Sequence, residues 1–442
     1  MPSPVLDTMT ANHTRRKSRP MERRRTPSVA PAVAIPGTSV PIDAAPAGAR
    51  PVGGAAGTVG FVRDLFDDVH DEFRASVAAF VAKELVPDYL EWEKAGIAPR
   101  SIFAEAGKFG FVGMAVPEQF GGGGSSDFRF NVVLAEELAM AGIGGAGLGI
   151  TLHNDITTPY FVEYSNDEQA ARWLPGIANG TLITAIAMTE PSTGSDLASI
   201  ATTAVRDGDE YVLNGSKTFI TNGINSDLVI VVAKTDPTQR HTGMSLLVLE
   251  RGMAGFERGR NLEKIGMHSQ DTAELFFSDV RVPVANRLGD EGKAFTYLTG
   301  NLAQERLSIA VTGVATARAA LGWTIDYVKE RQAFGTSIGS FQNTKFTLAE
   351  IATAVDVAQA FVDQCVRKLN AGTLSAAEAA QAKYWCTDLQ QRAVHECLQL
   401  FGGYGYMLEY PIARAYADAR ITSIYGGTTE VMKTIIAKSL GL

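Results

Sequence analysis

Apolar residues recur at spacings of three and four through Phe61, Leu65, Val69, Phe73, Val77 and Phe80, the pattern of a helix with one buried face. Similar patterns follow at 100–110 and 129–141 and continue to about residue 180. The character then changes. Tyr211-Val212-Leu213 and Thr218-Phe219-Ile220 flank Asn214-Gly215, which predicts a hairpin turn. Residues 228–232, 245–249 and 275–277 are further strand-like runs, separated by Gly, Asp or Pro. After about Asp290 long helical patterns return, at 293–332, 341–370, 375–401 and 428–440. Strand and helix do not alternate, which excludes a doubly wound sheet and predicts an α+β class. The expected division is a helical domain over 58–183, a β domain over 184–290 and a second helical domain over 291–442. Residues 1–57 are rich in Pro, Ala, Gly, Ser and Arg and lack apolar periodicity, so they are expected to be a disordered, dispensable tail.

Charge sharpens this division. The 442 residues carry a net charge of −8, but the first 57 hold a balance of +5, leaving −13 for the remainder. A body this acidic argues against nucleic acid as a partner. The longest uncharged apolar run, 138–152, is too short for a spanning helix and is broken by glycines. Cys365, Cys386 and Cys397 read as packed, reduced thiols, which suggests a reducing compartment. A bacterial cytoplasm is expected, or a mitochondrial matrix if the basic tail is a transit peptide.

Two motifs are discarded on context. Gly142-Ile143-Gly144-Gly145-Ala146-Gly147 fits a dinucleotide fingerprint but follows a helical pattern instead of a strand. Gly335-Thr336-Ser337-Ile338-Gly339 fits a nucleophile elbow but lies between two long helices. The six histidines have no metal-ligand spacing, and no metal site is expected.

Four segments hold candidate chemistry. Residues 187–196 (Ala-Met-Thr-Glu-Pro-Ser-Thr-Gly-Ser-Asp) offer hydroxyls and open amides, suited either to a polar ring edge or to a capped turn. Arg331-Gln332-Ala333-Phe334-Gly335, with Gln342 beyond, sets an Arg near an aromatic, as for a phosphate, or simply ends a helix. Gln399-Leu400-Phe401-Gly402-Gly403-Tyr404-Gly405 implies close backbone approach to a helix or a phosphate. Tyr425-Gly426-Gly427-Thr428-Thr429-Glu430 opens the last helix, where free amides favour an anion and Thr428 or Thr429 also suits a cap.

In order and spacing these four segments resemble the acyl-CoA dehydrogenase flavoprotein family over residues about 60–442. The likeness is nearest to its long-chain branch, through Gly215-Ser216-Lys217, Phe219-Ile220-Thr221-Asn222-Gly223, Gln270-Asp271-Thr272-Ala273-Glu274 and Ala382-Lys383-Tyr384-Trp385. Thr193 and Phe219 depart from the commonest family residues. The resemblance implies a helical N-terminal domain, a β-barrel-like middle and a C-terminal four-helix bundle, with FAD between them. It also implies desaturation of a long-chain or branched acyl-CoA. Electrons would pass to an electron-transfer flavoprotein, and the assembly would be a homotetramer. Competing expectations are an oxygen-using flavin oxidase or monooxygenase, or an inactive scaffold.

Most of the family carries its catalytic Glu directly after the Tyr of the last motif, where this chain has Gly426. Either the chain is inactive or another carboxylate serves. Glu305, in Gln304-Glu305-Arg306, shares a helix face with Leu302, Ile309, Thr312 and Gly313, and a carboxylate on an apolar face needs a reason. The long-chain and isovaleryl branches resemble this chain in both features, so Glu305 is the expected base and Gly426 the expected amide donor to the thioester oxygen. By the same resemblance Met188, Thr189, Phe219 and Thr221 line the flavin ring, and Ser195 meets the flavin phosphate or the CoA. Arg331, Phe334 and Gln342 reach a neighbouring subunit's FAD, Gln399, Gly402 and Gly403 cradle its pyrophosphate, and Thr428 and Glu430 complete the site. Arg306 and Tyr425 are assigned to substrate.

Overall fold

Seven helices open the part of the chain that the computed structural model describes, residues 63–442. They are α1 Asp68–Phe80, α2 Tyr89–Ala95, α3 Ser101–Lys108, α4 Arg129–Met140, α5 Gly144–Thr151, α6 Thr158–Tyr164 and α7 Asp167–Ala178. Phe61 and the tail expected at 1–57 lie outside the described residues. α7 starts where the periodicity needs a cap: Asn166 accepts from Gln169 N at 2.9 Å while the Gln169 side chain accepts from Asn166 N at 3.0 Å. Val77, Phe80, Phe103, Phe111, Leu134 and Ile150 form one apolar cluster between these helices.

The strands are β1 Thr184–Ala187, β2 Thr203–Asp207, β3 Glu210–Thr221, β4 Leu228–Lys234, β5 Met244–Glu250, β6 Phe256–Asn261, β7 Thr272–Pro283 and β8 Arg287–Leu288. They make one mixed sheet in the order β6-β7-β3-β2-β4-β5-β8, with β1 parallel to β4. Val229 and Leu247 share an apolar cluster with Phe256, Leu275 and Val282 from the other end of the sheet, so the sheet curls around its own core. Its other face, through Ile230, Leu246 and Val248, packs on Trp173 and Phe161 of the helical region.

The hairpin expected at Asn214-Gly215 is corrected. β3 runs straight through these residues as one strand of 12. Gly215 (φ +144°) marks a bulge instead, and the Asn214 side chain exchanges hydrogen bonds with Asp279 of β7, donating to Oδ1 at 3.0 Å and accepting from N at 2.9 Å. The turn lies earlier, at Gly208 (φ +63°), where Asp207 of β2 faces Glu210 of β3.

α8 Ala294–Glu330, α9 Gln342–Asn370, α10 Ala376–Phe401, α11 Pro411–Asp418 and α12 Thr429–Ser439 close the chain, with β9 Gln332–Ala333 and β10 Thr336–Ser337 forming a small hairpin after α8. α8, α9, α10 and α11 share a core with Val132 and Ala135 of α4, and the three cysteines lie buried and unbridged within it. No helix among the described residues is long and apolar enough to cross a membrane. The discarded glycine motif runs from the turn after α4 into the first turn of α5, and the discarded elbow motif runs from the β9–β10 turn through β10 and just beyond it.

Candidate active site

Glu305 sits about three turns into α8, with 3% of its surface exposed. Tyr160, itself buried on α6, donates its hydroxyl to Glu305 Oε1 at 2.8 Å. Burial raises the carboxyl to about 7, against the lowering effects of the Tyr160 hydrogen bond and the Arg306 charge. A carboxyl at that value, shielded from water and held by one donor, is suited to taking a weakly acidic proton near neutral pH.

Gly426 meets this helix face from the other side. Its φ is +63°, and a Cβ placed there would collide with Cδ1 of Ile309, one turn beyond Glu305. The left-handed backbone favours glycine at 426, and a side chain there would have to displace Cδ1 of Ile309 on the helix that carries Glu305. Lys383 of α10 fixes the turn by donating to Gly427 O at 2.6 Å. Arg306 points toward this part of α10: it is buried, burial lowers its pKa, its Nε has no partner, and its charge lowers that of Lys383. Tyr425 is half-buried beside Gly426.

A second group gathers where β1 leaves the sheet. Thr218 N donates to Thr189 O at 2.9 Å, which lays the two segments side by side. Lys217 clips them together, donating to Met188 O and to Glu190 Oε1, both at 2.9 Å, while Glu190 accepts from Ala201 N and Thr202 N. A register break between Lys217 and Ile220 then turns Phe219 outward at φ +60°, 68% exposed. Met188, Thr189 and Thr221 stay half-buried beside it, and Ser195 lies exposed in the loop beyond the Glu190–Thr193 bridge.

A third group lines a groove of about 530 Å³ between the end of α8 and the end of α10. Arg331, Gln399, Gly402 and Gly403 face it, with the Arg331 guanidinium 5.6 Å from the Tyr404 ring centre. Nothing lies within 4 Å of a Cβ built at Gly402 or Gly403. Phe334 projects from the β9–β10 turn at φ +53°, 96% exposed, and Gln342 is exposed at the start of α9. Neither lines the groove. Thr428 caps α12, its hydroxyl accepting from Val431 N at 3.3 Å, and Glu430 is exposed in the first turn. The structure thus brings the predicted residues together in separate clusters, and the groove near Gly402 shares no lining residue with the Phe219 face.

Family models of the acyl-CoA dehydrogenase N-terminal, middle and C-terminal domains match residues 67–181, 185–280 and 292–441. The chain belongs to the acyl-CoA dehydrogenase family. It is 46% identical over 381 residues to the mitochondrial long-chain specific acyl-CoA dehydrogenase of Sus scrofa, covering 86% of this chain and 88% of that one. The solved acyl-CoA dehydrogenase of Geobacillus kaustophilus is 50% identical, with a TM-score of 0.84 over 86% of this chain and 100% of that one. A chain in a structure described as the electron transferring flavoprotein of Acidaminococcus fermentans is 36% identical, with a TM-score of 0.82, covering 86% and 99%.

Acyl-CoA dehydrogenases are FAD-dependent flavoproteins. The residues present fit such a group: the bulge at Phe219 opens a flat flank beside Met188, Thr189 and Thr221, and the bare glycines leave room for a pyrophosphate. Three contributors escaped the sequence reading. Tyr160 is 145 residues from Glu305, and no spacing rule connects them. Lys217 and Lys383 stand inside quoted motifs, but their partners, the Met188 and Gly427 carbonyls and the Glu190 carboxylate, are brought near them only by the fold. A buried lysine in an apolar strand or helix is the one signal that could have found them.

Proposed function

We propose that this acyl-CoA dehydrogenase desaturates long-chain or branched acyl-CoA thioesters to trans-2-enoyl-CoA, with Glu305 as the base. The observation that carries this is the buried carboxyl of Glu305, held by Tyr160 and raised to about 7, on the helix face opposite Gly426. Glu305 removes the α-proton. The Gly426 amide donates to the thioester oxygen as charge develops there, and Tyr425 packs against the acyl chain. Bound FAD supplies the acceptor for the β-hydride. Met188, Thr189, Phe219 and Thr221 hold its ring, Ser195 holds its phosphate or the CoA, and Arg306 contributes to substrate binding.

Arg331, Phe334, Gln342, Gln399, Gly402 and Gly403 serve the FAD of a neighbouring subunit, with Thr428 and Glu430 at the edge of the site. The separation of the two flavin-facing clusters within one chain and the exposure of Phe334 support this arrangement. A homotetramer follows from it. The acceptor is an electron-transfer flavoprotein, a reading supported by the name of the Acidaminococcus structure. A bacterial cytoplasm, with its reducing thiol poise, suits the three free cysteines.

The test is anaerobic addition of straight and branched saturated acyl-CoAs of graded length to the flavin-loaded protein. Loss of the oxidised flavin absorbance with the longer or branched thioesters, and recovery of the enoyl-CoA, is expected. Bleaching by dithionite but by none of the thioesters would sink the proposal.

A further inference from the structure

Beyond Gly426 the α8 face that carries Glu305 continues along a narrow cavity of about 50 Å³. Thr312, Thr316 and Trp323 form its α8 wall, roughly 10 to 27 Å from Glu305 along the helix axis. Both threonine hydroxyls donate to carbonyls one turn back, Thr312 to Ser308 O at 3.1 Å and Thr316 to Thr312 O at 2.8 Å. Their remaining contribution to the wall is a methyl group. The facing wall is different. Gln390 of α10, Asp418 at the end of α11, and Tyr425 all line the same cavity.

Each of these three keeps polar capacity that no described residue uses. Asp418 is 8% exposed. Its Oδ1 accepts from Met267 N, while Oδ2 has no partner and would stand 3.2 Å from a Cβ at Gly144, which also lines the cavity. Among the described residues the Tyr425 hydroxyl has no hydrogen-bond partner, and Asp418 bears on it electrostatically. Gln390 is 2% exposed and has one end of its amide against the Thr422 hydroxyl at 2.8 Å, leaving the other end free. Polar groups lining a common cavity favour a ligand that completes them.

We propose that this polar wall recognises a hydroxyl carried on the acyl chain beyond the carbons that react. The inference rests on the reading of Glu305 and Gly426 as the reacting end. A hydroxyl both donates and accepts, so it can donate to Asp418 Oδ2 and accept from the Tyr425 phenol and the free NH2 end of the Gln390 amide. A terminal carboxylate is a poor fit, because burial already raises the Asp418 carboxyl to about 7 and a second carboxyl here would meet the same desolvation. A plain alkyl chain leaves all three groups unpaired. The substrate class is therefore a saturated acyl thioester with a hydroxyl beyond the reacting carbons.

The experiment compares kcat/KM for pairs of acyl-CoAs of equal length, one plain and one hydroxylated, with the hydroxyl moved along the chain beyond the reacting carbons. An apolar channel disfavours an added hydroxyl by about 100-fold. Here one hydroxyl position is expected to equal or exceed the plain chain, and Gln390→Leu is expected to lower the hydroxyl-to-plain ratio about tenfold, the loss of one hydrogen bond. Because the readout is a ratio on active enzyme, partial misfolding of the variant does not enter it. A wild-type penalty of the apolar size at every position, with good turnover of plain chains, overturns this inference alone, and so does a ratio that Gln390→Leu leaves unchanged. Failure to turn over either member of any pair overturns the reading of Glu305 as well.

Discussion

A carboxylate inside a helix packed on three sides is unfavourable unless its charge has a task. At Glu305 the opposing effects are visible: burial pushes the pKa up, and Tyr160 and Arg306 pull it down to about 7. Ionised Glu305 is the form that accepts a proton, so kcat/KM is expected to rise with pH through about 7 and level above it. Tyr160→Phe removes the donor that favours the ionised form, so the rising limb should move to higher pH, read from a pH profile of kcat/KM. A limb that stays in place would mean Tyr160 only fills space. The burial of Glu305 was legible in the sequence because the helical period set it among apolar neighbours, and the missing carboxylate at the Gly426 position is what singled it out. Tyr160 was not legible, since its hydrogen bond depends on how α6 docks on α8.

At the scale of elements, long periodic segments were the easiest to read. The patterns at 293–332, 341–370, 375–401 and 428–440 became α8, α9, α10 and α12 with bounds shifted by only one or two residues. The β region was harder. Asn-Gly is a strong local turn signal, yet Gly215 spends its conformational freedom on a bulge because Asn214 finds its partners on β7 and not within a hairpin. That choice is tertiary and lies outside any local pattern. The Lys217–Glu190 clip is similar: both side chains are almost fully buried, and together they set the Met188–Thr189 segment against β3. Lys217→Met leaves Glu190 charged and unpaired and is expected to destabilise the protein by about 3–5 kcal/mol. It should also lower the flavin retained on purification. Combining it with Glu190→Gln should restore part of the melting temperature. Unchanged melting and full flavin content in the single variant would show that the clip is not what holds this segment.

For the whole molecule, the negative body does not draw a polyanionic thioester by its bulk field, so recognition rests on local donors. Of the donors foreseen in the sequence, Ser195 lies in the open and Arg306 lies buried toward α10 beside the lysine that fixes the Gly426-Gly427 turn. The Phe219 cluster and the α8–α10 groove share no lining residue within the chain; under the proposed tetramer they would serve different flavins, which would tie catalysis to assembly. Sequence patterns could name the residues of both clusters. They could not show that one chain keeps them apart, because that depends on how the sheet packs on the helices.

The most direct measurement is made on assembled, flavin-loaded protein: rapid anaerobic mixing of wild type and Glu305→Gln with a saturated long-chain acyl-CoA, followed by flavin absorbance. The variant should retain its flavin and bind the thioester, while its rate of flavin reduction falls by at least about 100-fold, the scale of a lost general base. Reduction of the variant at the wild-type rate would contradict the assignment of Glu305.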